Sequence, residues 1–501
     1  MKKLLLLLTF LSLTSGIFAQ VSKTVNVSTA GTLSSTLASN ELATITNLTV
    51  TGTIDARDFK TMRDKMPLLA VLDMSGVTIA AYYGSGGTSP SWGDFNYPAN
   101  NFPNYAFSYP NTEQGKINLI SIVLPTSCTT IDSFAFAHCN GLTNVTIPSS
   151  VKSLKQYVFY YCSGMNSIII PSSVNSIGFC TFAMNSGLVS VDSNNPNYSS
   201  LDGVLYDKAQ TTLISCPISK IGSFTIPSSV TSIEIYAFLG CKGLTIVTIP
   251  SSVTSIGDDA FEFCNGLTTV TIPSSVTSIS MNAFKYCSGL ITVTIPSSVT
   301  SIGVGAFRYC SSLTTVGIPL SMTLIEDYAF DGCKGLTTVT IPSSVTRIGM
   351  RAFQDCTGLT SITTTRLIPI NLSSLNVFYQ VNKTTCKLYV PVGSKSAYQV
   401  ADQWKDFTNI VEKDFTGIDP IISDQKLNTY PNPTTGKVKL VFDQIPIKGT
   451  TLTVNDFTGK TILTQSIQNK EEWIDLKGNS PGVYLIRTNM KDFKVQKIIL
   501  K

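Results

Sequence analysis

A sequence motif of 23 residues, repeated along the middle of the chain, limits what this protein can fold into more than any other feature. Each copy contains Ile-Pro-Ser-Ser-Val or a close variant, then Ala-Phe, a Cys three residues later, and Gly-Leu. A fixed period of this length predicts a solenoid, in which each unit buries its apolar face against its neighbours. Such arrays usually present binding surfaces, so the repeat indicates a class of function but not a ligand. The repeat prolines stand 23 residues apart at Pro227, Pro250, Pro273, Pro296, Pro319 and Pro342.

The first half of one repeat is typical of a short β-strand with two different faces. Residues 267–272 read Leu-Thr-Thr-Val-Thr-Ile, with apolar residues at the first, fourth and sixth positions. Thr269 and Thr271 alternate with the apolar residues, which predicts that these two side chains face solvent. Pro273 has no N–H to donate to a neighbouring strand, so we expect the strand to end there.

The second half of the repeat predicts a turn that returns the chain to the next strand. Val276 and Ile279 are expected to form a second inward segment, and Ala283-Phe284 to begin a tight helical turn. The phenylalanine then fills the layer between coils, and Cys287 closes the core. Gly289 is expected to supply the backbone conformation that the chain needs to enter the next strand.

An insertion interrupts the repeat between the third and the later copies. Residues 192–217 contain Asn-Asn-Pro-Asn-Tyr and an Asp-Gly pair, which is typical of a β-hairpin inserted into one coil. Asp192, Asn194 and Asn197 carry the oxygen ligands that calcium prefers, but turn-forming residues at this spacing usually form only turns. We therefore expect the hairpin and no calcium site.

The first twenty residues predict export. Lys2 and Lys3 precede an apolar run, and small residues lead to Ala19, which is the layout of a cleavable secretory signal. The apolar run is too short to span a bilayer, and no later stretch is expected to cross a membrane as a helix. Cleavage after Ala19 leaves Gln20 rather than a Cys first, which weighs against a lipid anchor.

The chain is expected to divide into five parts. Residues 386–391 are typical of a last solenoid strand, and residues 398–411, with Trp404 and Phe407, predict a cap over the open apolar end. The parts are a signal peptide at 1–19, an N-terminal cap with degenerate repeats at 20–115, a repeat solenoid with its hairpin and C-terminal cap at 116–412, a linker at 413–427 and a C-terminal domain at 428–501.

Eight of the twelve cysteines share one position of the repeat, which argues against a disulfide framework even in an exported protein. Neighbouring coils lie about 4.8 Å apart with side chains pointing the same way, so the Cβ atoms are poorly placed for an S–S bond. We expect a row of buried free thiols that act as small apolar side chains. The sequence leaves open the pairing of the other four, Cys128, Cys180, Cys216 and Cys386. The eight are Cys139, Cys162, Cys241, Cys264, Cys287, Cys310, Cys333 and Cys356.

The repeat unit resembles the BspA-type leucine-rich repeats of bacterial surface proteins. The resemblance rests on the Leu-x-x-Val-x-Ile-Pro strands, on Ser-Val-x-x-Ile-Gly and on Ala-Phe-x-x-Cys, and it covers residues 116–360. It implies a mixed α/β repeat solenoid, right-handed and curved, whose coils of 23 residues combine short strands with helical or 3-10 turns. In that family the repeats often accompany adhesion or host-protein binding, and the resemblance implies no catalytic residues.

The C-terminal segment is a different kind of sequence. Short alternating runs separated by Gly, Pro and Asp turns predict a small all-β sandwich of immunoglobulin-like type. The segment resembles the C-terminal sorting domain of the type IX secretion system of Bacteroidetes. This implies that the secretion machinery is a partner. It also implies that the domain is commonly removed after export, and that the mature protein is then attached to the cell surface or released. The residues that carry the resemblance are Tyr430, Pro431, Asn432, Pro433, Gly459, Pro481, Gly482, Tyr484, Lys497 and Lys501.

Charge and residue content weigh against several functions. Charged residues make up 13% of the chain and the net charge is +5, with no basic stripe interleaved with aromatics, so nucleic acid is not an expected partner. A hydrolase needs a nucleophile with a base, paired carboxylates or a metal. The chain has one histidine, His138, and no Cys-x-x-Cys pair, and acidic pairs such as Asp258-Asp259 and Glu326-Asp327 are expected to be solvated. We therefore expect no catalytic residue, metal or cofactor.

The leading interpretation is a secreted or cell-surface protein that binds an extracellular protein or glycan. The outward strand positions form neutral, hydroxyl-bearing rows, which suit hydrogen-bonded contacts with little charge steering. Phe263, Tyr286 and Tyr309 lie on another face and are expected to add stacking contacts. Thr is also a common exposed strand residue, and a structural or ice-adsorbing array is the alternative, with a hydrolase less favoured. The candidate surface comprises Thr248, Thr269, Thr271, Thr292, Thr294, Thr315, Thr338 and Thr340.

Overall fold

A computed structural model describes residues 20–90, 93–415, 427–432, 434–442, 449–456, 460–488 and 496–500. The chain forms two compact units, Met1–Ala209 with Ser215–Ser219 and Gln210–Ile214 with Lys220–Lys501. Short strands dominate both units. The helices of the described residues are α1 (Leu33–Thr36), α2 (Ser39–Thr44), α3 (Ala56–Lys65) and α4 (Lys395–Tyr398).

The first unit is built around a parallel sheet of order β1-β2-β3-β7-β9, with α3 in the crossover between β2 and β3. A second parallel sheet has the order β12-β10-β8-β6, and β11 pairs with β13. The strands are β1 (Ser22–Val27), β2 (Asn47–Ile54), β3 (Val71–Ile79), β4 (Tyr82–Gly84), β5 (Phe95–Tyr97), β6 (Asn101–Phe102), β7 (Ser121–Val123), β8 (Thr130–Ile131), β9 (Asn144–Thr146), β10 (Ser153–Leu154), β11 (Ser167–Ile170), β12 (Ser176–Ile177), β13 (Leu188–Val191), β14 (Tyr198–Leu201) and β15 (Val204–Asp207).

The inserted hairpin is present as β14 and β15, which pair antiparallel. Asp202 and Gly203 connect them with φ values of 50° and 79°, as a two-residue hairpin turn with both central residues left-handed requires. The Asp192 carboxylate accepts the Asn194 N–H at 2.8 Å and closes a local turn. The turn interpretation of this segment therefore matches the structure.

The second unit carries a parallel sheet of nine strands, β17-β19-β21-β23-β25-β27-β29-β30-β31, with one strand for each coil. Shorter strands form a separate ladder of order β22-β24-β26-β28, and β16, β18 and β20 pair in the same parallel manner. The strands are β16 (Thr212–Ser215), β17 (Gly222–Thr225), β18 (Ser232–Ile233), β19 (Leu244–Thr248), β20 (Ser255–Ile256), β21 (Thr269–Thr271), β22 (Ser278–Ile279), β23 (Thr292–Thr294), β24 (Ser301–Ile302), β25 (Thr315–Val316), β26 (Leu324–Ile325), β27 (Thr338–Ile341), β28 (Arg347–Ile348), β29 (Ser361–Thr364), β30 (Lys387–Pro391) and β31 (Asn409–Lys413).

The array ends one strand later than the sequence predicts. The sequence predicts β30 as the last strand, but β31 pairs with it from Lys387↔Asn409 to Pro391↔Lys413. The C-terminal cap therefore lies between these two strands. In it Trp404 is buried with its ring 5.2 Å from that of Phe378, and its Nε1–H donates to the Ile370 carbonyl at 2.9 Å.

Stacked phenylalanines form the core of the second unit. Each Ala-Phe segment places its ring on that of the next coil, with centroids 4.7 to 5.9 Å apart and the ring planes within 15° of parallel. Like residues stack on like because the unit repeats in register, and the rings are fully buried or nearly so. The row comprises Phe238, Phe261, Phe284, Phe307, Phe330, Phe353 and Phe378.

The return turns are not helical, so the expected mixed α/β class with helical or 3-10 turns is wrong. Each turn of the second unit contains two residues in the left-handed region, with φ between 53° and 73°, on either side of Ala-Phe. A left-handed residue interrupts a right-handed helix, and the turn instead donates N–H groups to the next coil, as from Phe284 to the Ala306 carbonyl at 2.8 Å. The solenoid is consequently mostly β. The residues are Tyr236, Gly240, Asp259, Phe263, Asn282, Tyr286, Gly305, Tyr309, Tyr328, Gly332, Arg351 and Asp355.

The glycine of each Gly-Leu pair serves close packing rather than an unusual backbone angle. The φ of Gly289 is not in the left-handed region, contrary to our expectation. A Cβ on Gly289 would lie 2.3 Å from the carbonyl oxygen of Asn265 in the preceding coil. The glycine is therefore required because two coils approach each other there.

All twelve cysteines are buried free thiols, which confirms the expected row and answers the open question about the other four. The row is not merely apolar, however. The thiol of Cys287 lies 3.1 Å from the carbonyl oxygen of Phe261 in the preceding coil, and that of Cys310 lies 3.1 Å from Phe284. The same weak hydrogen bond recurs along both units, so each thiol also links two coils. The other donors are Cys139, Cys162, Cys264, Cys333 and Cys356.

The C-terminal segment forms two antiparallel sheets around one apolar core. The sheet orders are β32-β33-β36 and β35-β34-β37-β38, and residues from both sheets, such as Leu440 and Ile486, are fully buried in the shared core. This arrangement is a small all-β fold, and its immunoglobulin-like type stays a prediction. The strands are β32 (Leu427–Tyr430), β33 (Lys437–Phe442), β34 (Thr451–Asp456), β35 (Thr461–Ser466), β36 (Glu471–Asp475), β37 (Gly482–Thr488) and β38 (Gln496–Leu500).

Candidate binding surface

The eight candidate threonines lie on one face of the nine-stranded sheet, in two columns that cross the strands. Thr269, Thr292 and Thr315 are register partners on successive strands. Thr271 stands beside Thr294 in the second column. All eight are exposed, because the alternate residues of each strand point into the phenylalanine core.

The hydroxyl groups of these threonines are available to a ligand, unlike those of their sequence neighbours. Thr268, one residue before the column, donates its hydroxyl to the Thr245 carbonyl of the preceding coil at 3.1 Å. Thr314, Thr337 and Thr360 do the same at 3.1 to 3.2 Å. Within the described chain the eight column hydroxyls have no such partner. Adjacent threonines therefore have different roles. Only the column threonines present hydroxyl groups that are not already bonded to a neighbouring coil.

The columns extend beyond the residues that the repeat motif identified. Ser223 and Thr225 of β17 lie beside Ile246 and Thr248, and Ser361 and Thr363 of β29 lie beside Thr338 and Thr340. The sequence around β17 lacks the Leu-x-x-Val pattern, so the motif alone does not reveal it. At Gly317 the second column has a gap, with no atom within 4 Å of the position a Cβ would occupy.

The aromatic residues of the turns do not form an open stacking surface. The rings of Phe263 and Tyr286 are 4.6 Å apart and those of Tyr286 and Tyr309 are 4.8 Å apart, both nearly parallel. Tyr309 packs over Gly332, where a Cβ would lie 2.3 Å from its ring. Tyr286 is therefore covered on both ring faces, by Phe263 and by Tyr309. The expected stacking contacts thus occur within the protein.

The acidic residues singled out by the sequence are structural and not simply solvated. The carboxylates of Asp258 and Asp327 accept the backbone N–H groups of Met281 and Met350 in the next coil, at 3.0 and 2.7 Å. Asp259 is buried, and burial together with the nearby Glu262 raises the pKa of Asp259 to about 6. For Asp258, Asp259 and Asp327, the expectation that the carboxylates are simply solvated is therefore wrong.

His138 lies in an aromatic cluster. Its ring centroid is 5.4 Å from those of Tyr160 and Tyr161, and burial lowers the pKa of His138. The described residues contain no group of three His, Cys, Asp or Glu side chains placed to hold a metal ion. In the same part of the chain, no helix is both long enough and apolar enough to span a membrane.

The C-terminal residues that carry the sorting resemblance are partly described. The Asn432 side-chain oxygen accepts the Ile499 N–H at 2.9 Å, which joins the Tyr-Pro-Asn-Pro segment to β38. Tyr484 is buried in β37, which begins at Gly482 after Pro481, and its hydroxyl donates to the Ser480 carbonyl at 2.7 Å. Tyr430 ends β32 before Pro431, and Lys497 lies in β38. Pro433, Gly459 and Lys501 lie outside the described residues, as does the signal peptide.

Two family models match the chain. The model for the BspA type leucine rich repeat region matches in six copies across residues 100–219, 215–337 and 277–397, which together make up more than half of the sequence. The model for a secretion system C-terminal sorting domain matches residues 428–501. No curated protein matches the sequence.

Several solved structures are similar to this chain. The pneumococcal vaccine antigen PcpA is 18% identical with a TM-score of 0.44, covering 73% of this chain and 80% of its own. A leucine-rich repeat protein from Eubacterium ventriosum is 24% identical with a TM-score of 0.44, covering 63% and 84%. A leucine-rich cell surface protein from Faecalibacterium prausnitzii is 24% identical with a TM-score of 0.44, covering 71% and 82%.

Proposed function

Because this chain belongs to the BspA-type leucine-rich repeat family and ends in a secretion-system sorting domain, we propose that it is an adhesin-like, non-catalytic binding module that works outside the cell. Membership in these two families makes it a secreted or cell-surface protein. The binding face is the pair of threonine columns in the second unit, and the ligand is an extracellular protein or glycan. We also propose the division of the chain into five parts given above. In this proposal a signal peptide first directs export, and the type IX machinery then carries the protein to the outside.

One observation supports this function above the others: eight exposed hydroxyl groups in register that the protein itself does not use. Neighbouring threonines bond to the adjacent coil, so free hydroxyls are a property of these columns and not of every exposed threonine. A neutral hydroxyl array suits hydrogen bonding to a polar, uncharged partner.

Charge placed on the columns is expected to weaken ligand binding without unfolding the protein. The double variant Thr292→Lys, Thr315→Lys puts two ammonium groups on adjacent strands, and we expect affinity for the captured ligand to fall at least about tenfold, or 1.4 kcal/mol. Ligands are captured on a glycan array and on a panel of matrix proteins, and affinities are measured in solution. The single variant Thr277→Lys adds one ammonium group at an exposed site outside the columns and serves as the control. Equal binding by the double variant and Thr277→Lys would contradict the proposed surface.

Removal of the sorting domain is expected to prevent surface display. A chain that lacks residues 428–501 keeps the solenoid and its caps but loses the segment that the secretion machinery recognises. We expect it to accumulate inside the outer membrane of the native host, measured by protease accessibility on intact cells and by fractionation. The full-length Thr277→Lys chain should be displayed normally. Unchanged display of the shortened chain would show that this segment is not the export signal.

A further inference from the structure

The sheet face that carries the threonine columns continues onto two strands with a different character. Lys387 of β30 is the register partner of Ser361, and Tyr389 is the partner of Thr363. On β31, Lys413 is the register partner of Pro391 and lies on the same face as Tyr389. The neutral columns therefore lead, without a break in register, to two lysines and a tyrosine.

The two lysines introduce positive charge at one end of a neutral surface. From Ser223 to Thr363 both columns contain only Ser, Thr, Ile and Gly. Lys387 and Lys413 are exposed, and neither forms an ion pair within the described chain. The nearby Glu412 carboxylate instead accepts the N–H groups of Gly393 and Lys395, both at 3.0 Å. The lysine charges thus remain available to a ligand.

Protection of a sheet edge explains only part of this arrangement. Lysine on an edge strand discourages pairing with another chain, and Lys413 lies on the edge strand β31. Lys387 and Tyr389 lie on β30, which has a paired strand on each side, so edge protection does not account for them. The Lys413 ammonium sits 5.5 Å from the centre of the Tyr389 ring, which positions that charge on the ligand face.

We propose that this surface binds a glycan chain that has a neutral body and an acidic terminal sugar. The neutral sugars lie along the threonine columns, the carboxylate of the terminal sugar pairs with Lys387 and Lys413, and Tyr389 is a positioning residue. This inference rests on the proposed function. The many hydroxyl groups of a glycan chain can form hydrogen bonds with the threonine hydroxyls of the columns. A peptide strand is not expected there, because the backbone groups of β30 already pair with β29 and β31 and cannot accept another strand.

The test compares neutral glucan, mannan and xylan oligosaccharides with the same chains capped by a uronic acid, using the full exported protein and titration calorimetry. We expect one capped chain to bind about tenfold more tightly than its uncapped form at low salt, from two exposed charge contacts of about 0.7 kcal/mol each. The preference should fall towards one in 0.5 M NaCl. The ratio of the affinities for capped and uncapped chains should also fall towards one in the double variant Lys387→Gln, Lys413→Gln. The control variant Lys334→Gln changes an exposed lysine away from this face and should leave the ratio unchanged.

The outcomes separate this inference from the proposed function. Equal affinity for capped and uncapped chains, or an unchanged preference in the double glutamine variant, overturns the acidic-end assignment and leaves the threonine surface standing. Binding of only an acidic protein or an anionic vesicle through the two lysines overturns the glycan assignment. If neither the saccharides nor the wider ligand panel binds, the proposed function itself fails.

Discussion

The protein is expected to unfold within a narrow range above pH 9, and the cause is its buried free thiols, which include members of the row and also Cys128 and Cys386 outside it. Burial raises the pKa of Cys128 and Cys386 to about 11 and that of Cys139 to about 12. Burial also raises the pKa of five more cysteines above the ordinary value. These are Cys162, Cys287, Cys310, Cys333 and Cys356.

The sign of the effect follows from which state holds more protons. Above the ordinary cysteine pKa of about 8.5 the unfolded chain loses thiol protons, while the folded chain keeps them until the raised values are reached. Stability contributed by the buried thiols is therefore complete below pH 8.5 and decreases as pH rises. Each thiol lowers the free energy of unfolding by about 1.4 kcal/mol per pH unit, so eight thiols together lower it by at most roughly 11 kcal/mol per pH unit.

One lysine acts in the opposite direction. Burial lowers the pKa of Lys116 to about 8, so between pH 8 and the ordinary lysine pKa the unfolded chain holds the extra proton and stability rises with pH. The ammonium group donates to the carbonyls of Arg63 and Met66 in the first unit, at 3.2 and 2.6 Å. A single proton of this kind is outweighed by eight thiol protons.

Urea unfolding followed by circular dichroism at half-unit steps from pH 7 to 10.5 measures this effect. We expect the urea midpoint to be constant up to about pH 8.5 and then to fall steeply. A variant with Cys287→Ala and Cys310→Ala removes two of the eight groups and should show a proportionately shallower fall, whatever its stability at pH 7. A midpoint that does not change between pH 8 and 10.5 would contradict the proposed role of the thiols.

Adding a single methyl group to Gly289 is expected to destabilise the second unit by about 3 kcal/mol, at the upper end of the cost of overpacking. The Cβ of Gly289→Ala would lie 2.3 Å from the Asn265 carbonyl oxygen, which is a backbone atom in a turn of the preceding coil and cannot move aside as the end of a flexible side chain could. Separation of the two coils would also weaken the adjacent strand pairing and the phenylalanine stack.

Gly317→Ala is the matched control for this substitution. Gly317 lies in the same array, but it is exposed to solvent, and no atom is within 4 Å of the position that its Cβ would occupy. We expect its free energy of unfolding to change by no more than about 0.5 kcal/mol. The measurement is the urea midpoint at pH 7 for both variants. Equal stability of Gly289→Ala and Gly317→Ala would show that Gly289 is not required for the close approach of the coils.

Several features of the fold and surface could be predicted because translation by one repeat places like residues side by side. The register of Thr269 with Thr292, the burial of Phe284 and the free state of Cys287 all follow from a 23-residue period and strand alternation. The helical turn was wrongly predicted because Ala-Phe is compatible with a helix. The left-handed backbone of the turn has only a weak signal at Asn282, because Asn tolerates that region, and none at Tyr286, because bulky residues usually avoid it.

The remaining errors concern contacts between coils. The carboxylate of Asp258 bonds to a backbone group 23 residues away, and the Gly289 Cα faces a carbonyl oxygen 24 residues away. The pattern within a single repeat does not give the distance between one backbone and the next. For the same reason it predicts exposed threonines but not which of their hydroxyl groups are already bonded.

The sequence by itself therefore determined the 23-residue solenoid, the inward and outward rows and the presence of a row of unpaired thiols. These depend on periodicity and on the chemistry of each residue type. Only the tertiary structure decided why Gly289 is glycine, which threonine hydroxyls remain free, and that Lys387, Tyr389 and Lys413 share a face with the threonine columns. These depend on the spacing and register of backbones that are remote in sequence and adjacent in the fold.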